Sequence, residues 1–302
     1  MFTLLILKLI FLYFLIFLGY VAGRWLRVEK ESVARLLIYL IVPMVFFTSI
    51  LNMNLHPSLL LLPILFYALA CTIALCMIKF SKFFCVPPAT HILAFATGSG
   101  NIGYFGFPLV VAVMGEEYLG VAALIAIGFI LFENSLGFYL TARGRHTVSK
   151  SLKKVATLPT VYAFLLAVVL RFLGYGLPSF AKEFALNLRG AYSILGMMMI
   201  GIAISHIRKP KLNFRFLCLS FFGKFMLWPL LISLLIWGDQ KWFQIFSPDI
   251  HRMMFLMSIV PLPGNSVAVA TELNTEPEQT AIAVLLSTVF AFGYIPLMLA
   301  IF

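Results

Sequence analysis

The chain has 302 residues, of which 62% are hydrophobic and 11% are charged, and its mean hydropathy is +1.04. A soluble protein of this length could not remove that much apolar surface from water, so the composition excludes a soluble globular protein and predicts a polytopic membrane protein. The formal net charge of +11 is attributed to Lys and Arg in connectors that face the cytoplasm, rather than to a surface that binds nucleic acid.

Ten apolar segments follow one another along the chain, each close to the length of one membrane crossing. The first is interpreted as a transmembrane helix and not as a cleaved signal peptide, because its apolar run is long for such a peptide. The sequence therefore predicts an all-α polytopic membrane protein with ten transmembrane helices. The segments cover residues 2–23, 33–52, 58–79, 90–113, 117–140, 159–175, 187–207, 212–237, 251–272 and 277–302.

Basic residues are distributed unevenly between the connectors. Connectors on one side hold 15 Lys and Arg residues, and those on the other side hold five, which are Arg171, Lys182, Arg189, Lys241 and Arg252. The positive-inside rule then places both termini outside the cell. The basic connector 141–158 is predicted to be cytoplasmic and to contain Arg143, Arg145, Lys150, Lys153 and Lys154.

The spacing of the segments indicates an internal repeat. Segments one and six, and segments five and ten, are each separated by close to 160 residues. Each half has five crossings, and an odd number makes the second half enter the membrane from the opposite side. The prediction is one integral membrane domain, with a first five-helix repeat over 1–140 and a second, inverted five-helix repeat over 159–302, as in many secondary transporters.

Segment four contains a stretch, residues 97–108, with four glycines and one proline. Glycine lacks a Cβ and proline lacks an N–H, so we expect the helix to break there. Broken backbone at membrane depth is tolerated only inside protein or against a water-filled cavity. Segment nine has a matching stretch, 258–268, in which Asn265 lies 164 residues after Asn101. Paired interruptions in corresponding segments predict the binding site of a transporter.

The ends of broken helices have a defined chemistry. Half-helix N-termini carry partial positive charge and suit a carboxylate, whereas half-helix C-termini offer carbonyl oxygens that suit Na⁺. The side chains of Asn101, Asn265, Ser99 and Ser266 can both donate and accept hydrogen bonds, so they suit either ligand. The alternative is that the asparagines only satisfy backbone groups that the breaks set free.

Two ionisable residues, Glu133 and Lys224, lie in the middle of segments five and eight. Charges at such depth usually face a cavity or a partner, so the two side chains either form an ion pair between helices or act as proton-linked groups. Lys224 could also extend towards the membrane surface. The repeat offset from the stretch 133–135 leads to segment ten. The predicted site for a coupling cation or proton therefore comprises Glu133, Asn134, Lys224, Ser287 and Thr288.

Catalytic motifs are absent from the sequence. It contains no Gly-x-Ser-x-Gly, no His-Glu-x-x-His and no phosphate-binding loop with its lysine, so we expect no enzymatic activity. The leading hypothesis is a secondary transporter of a small organic anion. A passive channel is the alternative from another class, and an intramembrane enzyme that uses Glu133 and Lys224 is a remote one.

Four stretches resemble the auxin efflux carrier family, which includes bacterial permeases and the plant PIN proteins. The residues from Asn101 to Pro108 match its Asn-x-Gly-aromatic-x-Gly-x-Pro signature. The residues from Pro261 to Ser266 are similar to its second crossover, in which Asn-Ser follows a proline by four residues. Leu-Ser-Thr at 286–288 and the proline-bearing stretch 40–43 are also similar.

The resemblance implies ten helices in two inverted repeats, with broken helices 4 and 9 crossing each other, and an elevator-like movement of a transport domain. It also implies auxin-like or dicarboxylate substrates such as malate or malonate, and a sodium-coupled bile-acid-type symporter is the alternative kept beside it. The family's crossover residues map onto Asn101, Pro108, Pro261 and Asn265. With their neighbours, the predicted substrate-binding residues are Ser99, Asn101, Gly103, Pro108, Pro261, Pro263, Asn265 and Ser266.

Cofactors, partners and location follow from the same interpretation. We expect no cofactor, with Na⁺ and H⁺ both open as the coupling ion and no other metal. The expected partners are the organic anion and the lipid bilayer, with a homodimer left open and no nucleic acid. The expected location is a cell membrane, taken to be a bacterial inner membrane.

Overall fold

The computed structural model describes residues 2–85, 89–142, 157–205 and 213–301, and all regular structure within these ranges is helical. This confirms the prediction of an all-α protein. The α-helices are Phe2–Arg24, Lys30–Leu36, Val42–Asn52, Leu61–Ser81, Ala89–Gly98, Phe107–Val113, Leu119–Phe132, Phe138–Thr141, Pro159–Phe172, Ser179–Ser205, Phe214–Phe222, Trp228–Gly238, Pro248–Ser258, Asn265–Glu272 and Pro277–Ile301.

Six helices in the described ranges are long and apolar enough to cross a membrane. They correspond to the predicted segments two, three, five, seven, eight and ten, and they support a multi-pass membrane protein. Segment one is represented by the helix Phe2–Arg24 and segment six by the shorter apolar helix Pro159–Phe172, and segments four and nine are interrupted. The count of ten crossings and the inverted repeat stay predictions. The six spans are Glu31–Asn52, Pro57–Ser81, Glu116–Thr141, Ser179–Ser205, Phe214–Phe243 and Pro277–Ile301.

One predicted boundary is wrong. Segment seven begins at Ser179 and not at residue 187, so Lys182 and Arg189 lie inside the helix Ser179–Ser205 and not in a connector. The first turns of this helix are rich in Ala, Leu, Lys and Glu, which are strong helix formers, but their polarity had excluded them from an apolar segment. The five basic residues of connector 141–158 lie outside the described residues. The orientation of the termini stays a prediction.

Three prolines within the apolar segments follow short π-helical turns. Pro43, Pro108 and Pro229 each lie two residues after a turn of this kind, at 37–41, 102–106 and 223–227. A proline provides no N–H and its ring crowds the carbonyl four residues earlier, so the wider turn lets the helix continue past it. These helices are therefore locally reshaped at their prolines and not ended by them.

The described residues form two compact units that interleave along the chain. The first unit consists of Met1–Leu59, Gly103–Leu124 and Ala156–His206, and the second of Leu60–Ile102, Ile125–Val155 and Ile207–Phe302. Each unit draws on both predicted repeats. Packing into compact units does not test an internal symmetry. The two repeats, and the connector 141–158 between them, therefore stay predictions.

The first unit is built on close helix packing. The helices Phe2–Arg24 and Ser179–Ser205 lie side by side, and Gly19 and Gly201 bring their backbones into contact. A Cβ at either glycine would collide with the backbone of the other helix, at Met198 or Ile16 respectively. Small residues at helix contacts allow this approach, as is usual for helices in a membrane.

The second unit is organised around the helix Ala89–Gly98, all ten residues of which are buried. The helices that pack against it include Leu61–Ser81, Phe214–Phe222, Asn265–Glu272 and Pro277–Ile301. Trp228 stacks on Phe66, with ring centroids 6.0 Å apart, and also contacts Phe129 at 5.0 Å. The first half of the interrupted segment four is therefore the core of this unit.

Candidate functional site

The first break, residues 99–101, separates the helix Ala89–Gly98 from the π-helical turn Ile102–Gly106. A glycine is needed at its centre, because a Cβ on Gly100 would lie 2.7 Å from Lys224 Nζ and 2.8 Å from Val260 Cγ2. The predicted interruption of segment four is therefore present, but it is shorter than the glycine-rich stretch that predicted it.

The second break, residues 259–264, separates the helices Pro248–Ser258 and Asn265–Glu272. Its backbone groups are satisfied by hydroxyl groups: Leu262 N donates to Ser287 Oγ at 3.1 Å, and Ser266 Oγ donates to Pro263 O at 2.6 Å. Ser266 and Ser287 are fully buried. Ser266 and Ser287, two of the predicted site residues, therefore stabilise the backbone of the second break.

The two breaks contact each other directly within the second unit. Asn101 N donates to Pro261 O at 2.9 Å. Glu133 adds a second connection, because its Oε1 accepts from Ser99 Oγ at 2.5 Å and its Oε2 accepts from Asn265 Nδ2 at 2.9 Å. One carboxylate therefore links both breaks.

The two asparagines differ in their surroundings. Asn101 is 3% exposed, and its Nδ2 has no hydrogen-bond partner among the residues that the structure describes. Asn265 is exposed while it holds Glu133. A buried donor without a partner is rare in folded proteins and calls for an explanation. Asn101 therefore offers an N–H group that a bound acceptor would satisfy, and Asn265 lies at the accessible edge of the same cluster.

Lys224 is fully buried beside the first break. Its Nζ donates to Ser99 O at 3.2 Å and lies 5.0 Å from the ring of Trp228 and 5.8 Å from that of Phe129. In the described part of the chain it forms no direct ion pair with Glu133. Ser99 connects the two instead, since its carbonyl binds the lysine and its hydroxyl binds the carboxylate.

The remaining predicted site residues make other contacts. Asn134 Nδ2 bonds to its own helix at Ile130 O, and Thr288 Oγ1 bonds to Val284 O, each at a distance below 3 Å. Gly103 and Pro108 belong to the first unit. There Tyr192 Oη lies 2.6 Å from the position that a Cβ on Gly103 would take. Pro263 is buried in the second break and contributes its carbonyl to Ser266.

The sequence gives no direct sign of the aromatic rings that lie beside Lys224. Trp228 follows Lys224 by four residues, and Phe129 precedes Glu133 by four, a spacing that places side chains on one helix face. Trp228 also binds the end of the broken helix, since its Nε1 donates to Thr97 O at 2.7 Å. The spacing is the signal that could have identified both residues.

A cavity of about 520 Å³ lies elsewhere in the second unit. Its lining includes Trp237, His251 and Arg252 but none of the residues at the breaks. His251 Nε2 donates to Asp239 Oδ2 at 2.8 Å, and this carboxylate also accepts from the backbone N–H of Ile245. The pair therefore fastens the turn that precedes helix Pro248–Ser258. No group of three or more His, Cys, Asp or Glu residues within the described ranges could hold a metal ion.

Comparison with known proteins gives three results. Residues 4–135 match the model of a protein family described as membrane transport protein. The chain is 32% identical over 110 residues to an uncharacterized transporter of Methanocaldococcus jannaschii, which covers 35% of this chain and 36% of that relative. It is 26% identical over 294 residues to an uncharacterized transporter of Methanothermobacter thermautotrophicus, which covers 94% of this chain and 93% of the relative.

Proposed function

We propose, from the match of residues 4–135 to the family described as membrane transport protein, that the chain is a secondary transporter of a small organic anion. The resemblance to the auxin efflux carrier family is confirmed by the same match. The archaeal relatives are named as transporters and not as enzymes, which agrees with the absence of catalytic motifs.

The observation that carries the proposal is the unpaired Nδ2 of Asn101, buried where the two breaks meet. A carboxylate oxygen would satisfy this donor. Asn265, at the start of the eight-residue helix Asn265–Glu272, lies in the same cluster, and a helix N-terminus favours an anion. An organic acid bound between the breaks would accept a hydrogen bond from Asn101 Nδ2 and lie near the N-terminus of helix Asn265–Glu272.

We extend the proposal to the substrate, the transport cycle and the location. The substrate is auxin-like or a dicarboxylate such as malate or malonate. All contacts between the breaks lie inside the second unit, as an elevator-type cycle in which one unit carries the site would require. The proposal keeps both termini outside, a location in a bacterial inner membrane and an assembly as a homodimer.

The test is uptake of labelled organic acids by liposomes that contain the purified protein. We expect saturable uptake by the unmodified chain and its loss in both Asn101→Ala and Asn265→Ala, with folding checked by thermal unfolding in detergent. Asn187→Ala is the matched control, because Asn187 is exposed on helix Ser179–Ser205 in the first unit. Unchanged uptake in both site variants would contradict the assignment, and uptake that never saturates would favour a passive channel.

The substrate is identified by a thermal-shift screen of organic acids, each measured with and without Na⁺. A ligand that binds the folded protein stabilises it by mass action, by about 2.7 kcal/mol at one hundred times its Kd. The unmodified chain should respond to the transported acid, and Asn101→Ala should respond much less. An equal response in the two proteins would place the binding site elsewhere.

A further inference from the structure

The carbonyl end of helix Ala89–Gly98 is a natural position for a cation. The last carbonyls of a helix have no partner within the helix, and they carry the negative end of its dipole. In this chain the side chain of Trp228 binds Thr97 O, and the ammonium group of Lys224 binds Ser99 O at 3.2 Å. The break therefore already has a cation at its carbonyl end, and that cation is part of the protein.

The space around the Lys224 ammonium is closed by the neighbouring residues. The faces of Trp228 and Phe129 lie within 6 Å of Nζ, where an aromatic ring attracts a cation. The absence of a side chain at Gly100 leaves space for the ammonium group, because a Cβ there would lie only 2.7 Å from Nζ. Lys224 is fully buried, so bulk water does not contact its ammonium group.

The charges of the cluster are already balanced. Ser99 connects the Lys224 ammonium to the carboxylate of Glu133, so one positive and one negative group face each other across a single residue. A sodium ion bound to Ser99 O would bring a second cation directly beside the Lys224 ammonium, and two like charges that close repel each other strongly in a buried site. A sodium ion and the lysine are therefore competitors for one position.

We propose that Lys224 is a tethered cation that occupies, in this protein, the position where Na⁺ would otherwise bind at the first break. The protein then has no Na⁺ site there as long as the lysine is present, and its removal creates one from the oxygen atoms of Ser99 and Glu133. The consequence that transport proceeds without Na⁺ rests on the proposed function. The occupancy of the cation position does not, because it is measured without any organic substrate.

The test compares thermal unfolding in NaCl and in choline chloride at equal ionic strength. The unmodified chain should unfold at the same temperature in both salts. Lys224→Ala should unfold at a lower temperature in choline chloride and regain on the order of 3 °C when Na⁺ is ten times its Kd. Lys224→Arg keeps a cation and should show no Na⁺ effect.

The matched control is Lys241→Ala. Lys241 also lies over two tryptophan rings, at 5.2 Å from that of Trp237 and 5.7 Å from that of Trp242, but it is exposed and distant in sequence from the breaks. Its replacement removes a cation from aromatic faces without freeing a carbonyl at a break, so no response to Na⁺ should appear.

Three results would overturn the proposal. The first is a saturable, Na⁺-specific stabilisation of the unmodified chain, which calorimetric titration with NaCl also measures. The second is a Lys224→Ala variant that stays indifferent to Na⁺. The third applies if Lys224→Ala does not fold: Lys224→Gln, which can still donate to Ser99 O and adds a carbonyl oxygen, must then gain the Na⁺ response, and its failure to do so decides against the proposal. Loss of organic-anion uptake in liposomes would contradict the proposed function and leave these results unchanged.

Discussion

The first break is held by side chains from distant parts of the sequence, whereas the second is held largely by residues near it. Lys224 and Trp228 bind the first break from 125 and 131 residues away. At the second break, Ser266 bonds to a carbonyl three residues before it, and Ser287 accepts from an N–H 25 residues before it. Charged and aromatic groups support the first break, whereas hydroxyl groups support the backbone of the second, which Glu133 contacts only through Asn265 at the start of the following helix.

Because their supporting groups differ, the two breaks have different roles. The second break can adopt its shape with uncharged partners, so it forms a stable backbone turn. The first break brings together a cation, a carboxylate and aromatic rings, and the side-chain Nδ2 of Asn101 has no hydrogen-bond partner among the described residues. The two breaks that the sequence predicts as counterparts thus differ, and the chemistry suited to a ligand is concentrated at the first.

Glu133→Gln should have the largest effect on stability, because this carboxylate connects the breaks. The change weakens a charge-assisted hydrogen bond and leaves the buried Lys224 ammonium unbalanced, so we expect a loss of about 3 kcal/mol in the free energy of unfolding. Denaturant unfolding in detergent measures it. Glu278→Gln is the control, since Glu278 is exposed. Equal losses in the two variants would mean that Glu133 does not join the breaks energetically.

The location of both breaks could be predicted from the sequence because its causes are local. Glycine and proline change the backbone wherever they occur, and the offset of 164 residues between Asn101 and Asn265 needs no structure to be seen. The contacts of Lys224 could not be predicted, since its partner is the carbonyl of Ser99 and every residue carries a carbonyl. Only tertiary packing decides which carbonyl a buried lysine meets.

The length of the first break could not be predicted from the sequence either. Glycine permits several backbone conformations but demands none, so the stretch 97–108 did not show that the interruption is confined to 99–101. Gly103 and Pro108 were grouped with the site for this reason, although they lie in helical turns of the first unit. A residue's neighbours in the sequence are a weak guide to a site that tertiary contacts assemble.

Gly100→Ala and Gly264→Ala place the same extra methyl group in the two breaks. At Gly100 it would collide with Lys224 Nζ and Val260, and overpacking of this kind should lower the free energy of unfolding by about 2 kcal/mol. At Gly264 no atom lies within 4 Å of the added Cβ and φ is −59°, so the change should raise stability by about 0.5 kcal/mol. The same unfolding measurement on both variants checks the pair. A loss of stability in Gly264→Ala as large as that in Gly100→Ala would show that the space around Gly264 is packed as tightly as that around Gly100.

Ser287→Ala should have the smallest of the destabilising effects, because the bonds that it removes, from Leu262 N and to Val284 O, are neutral. The hydroxyl that accepts from Leu262 N is lost and a buried N–H is left unsatisfied, which should lower the free energy of unfolding by about 1 kcal/mol. Ser220→Ala is the matched control, since Ser220 is equally buried but bonds only to Phe216 O within its own helix, and we expect little change there. Uptake by Ser287→Ala should stay close to that of the unmodified chain once folding is equal, because the hydroxyl bonds to backbone groups of Leu262 and Val284 and not to the proposed ligand-binding residues. A complete loss of uptake in folded Ser287→Ala would instead place the ligand chemistry at both breaks equally.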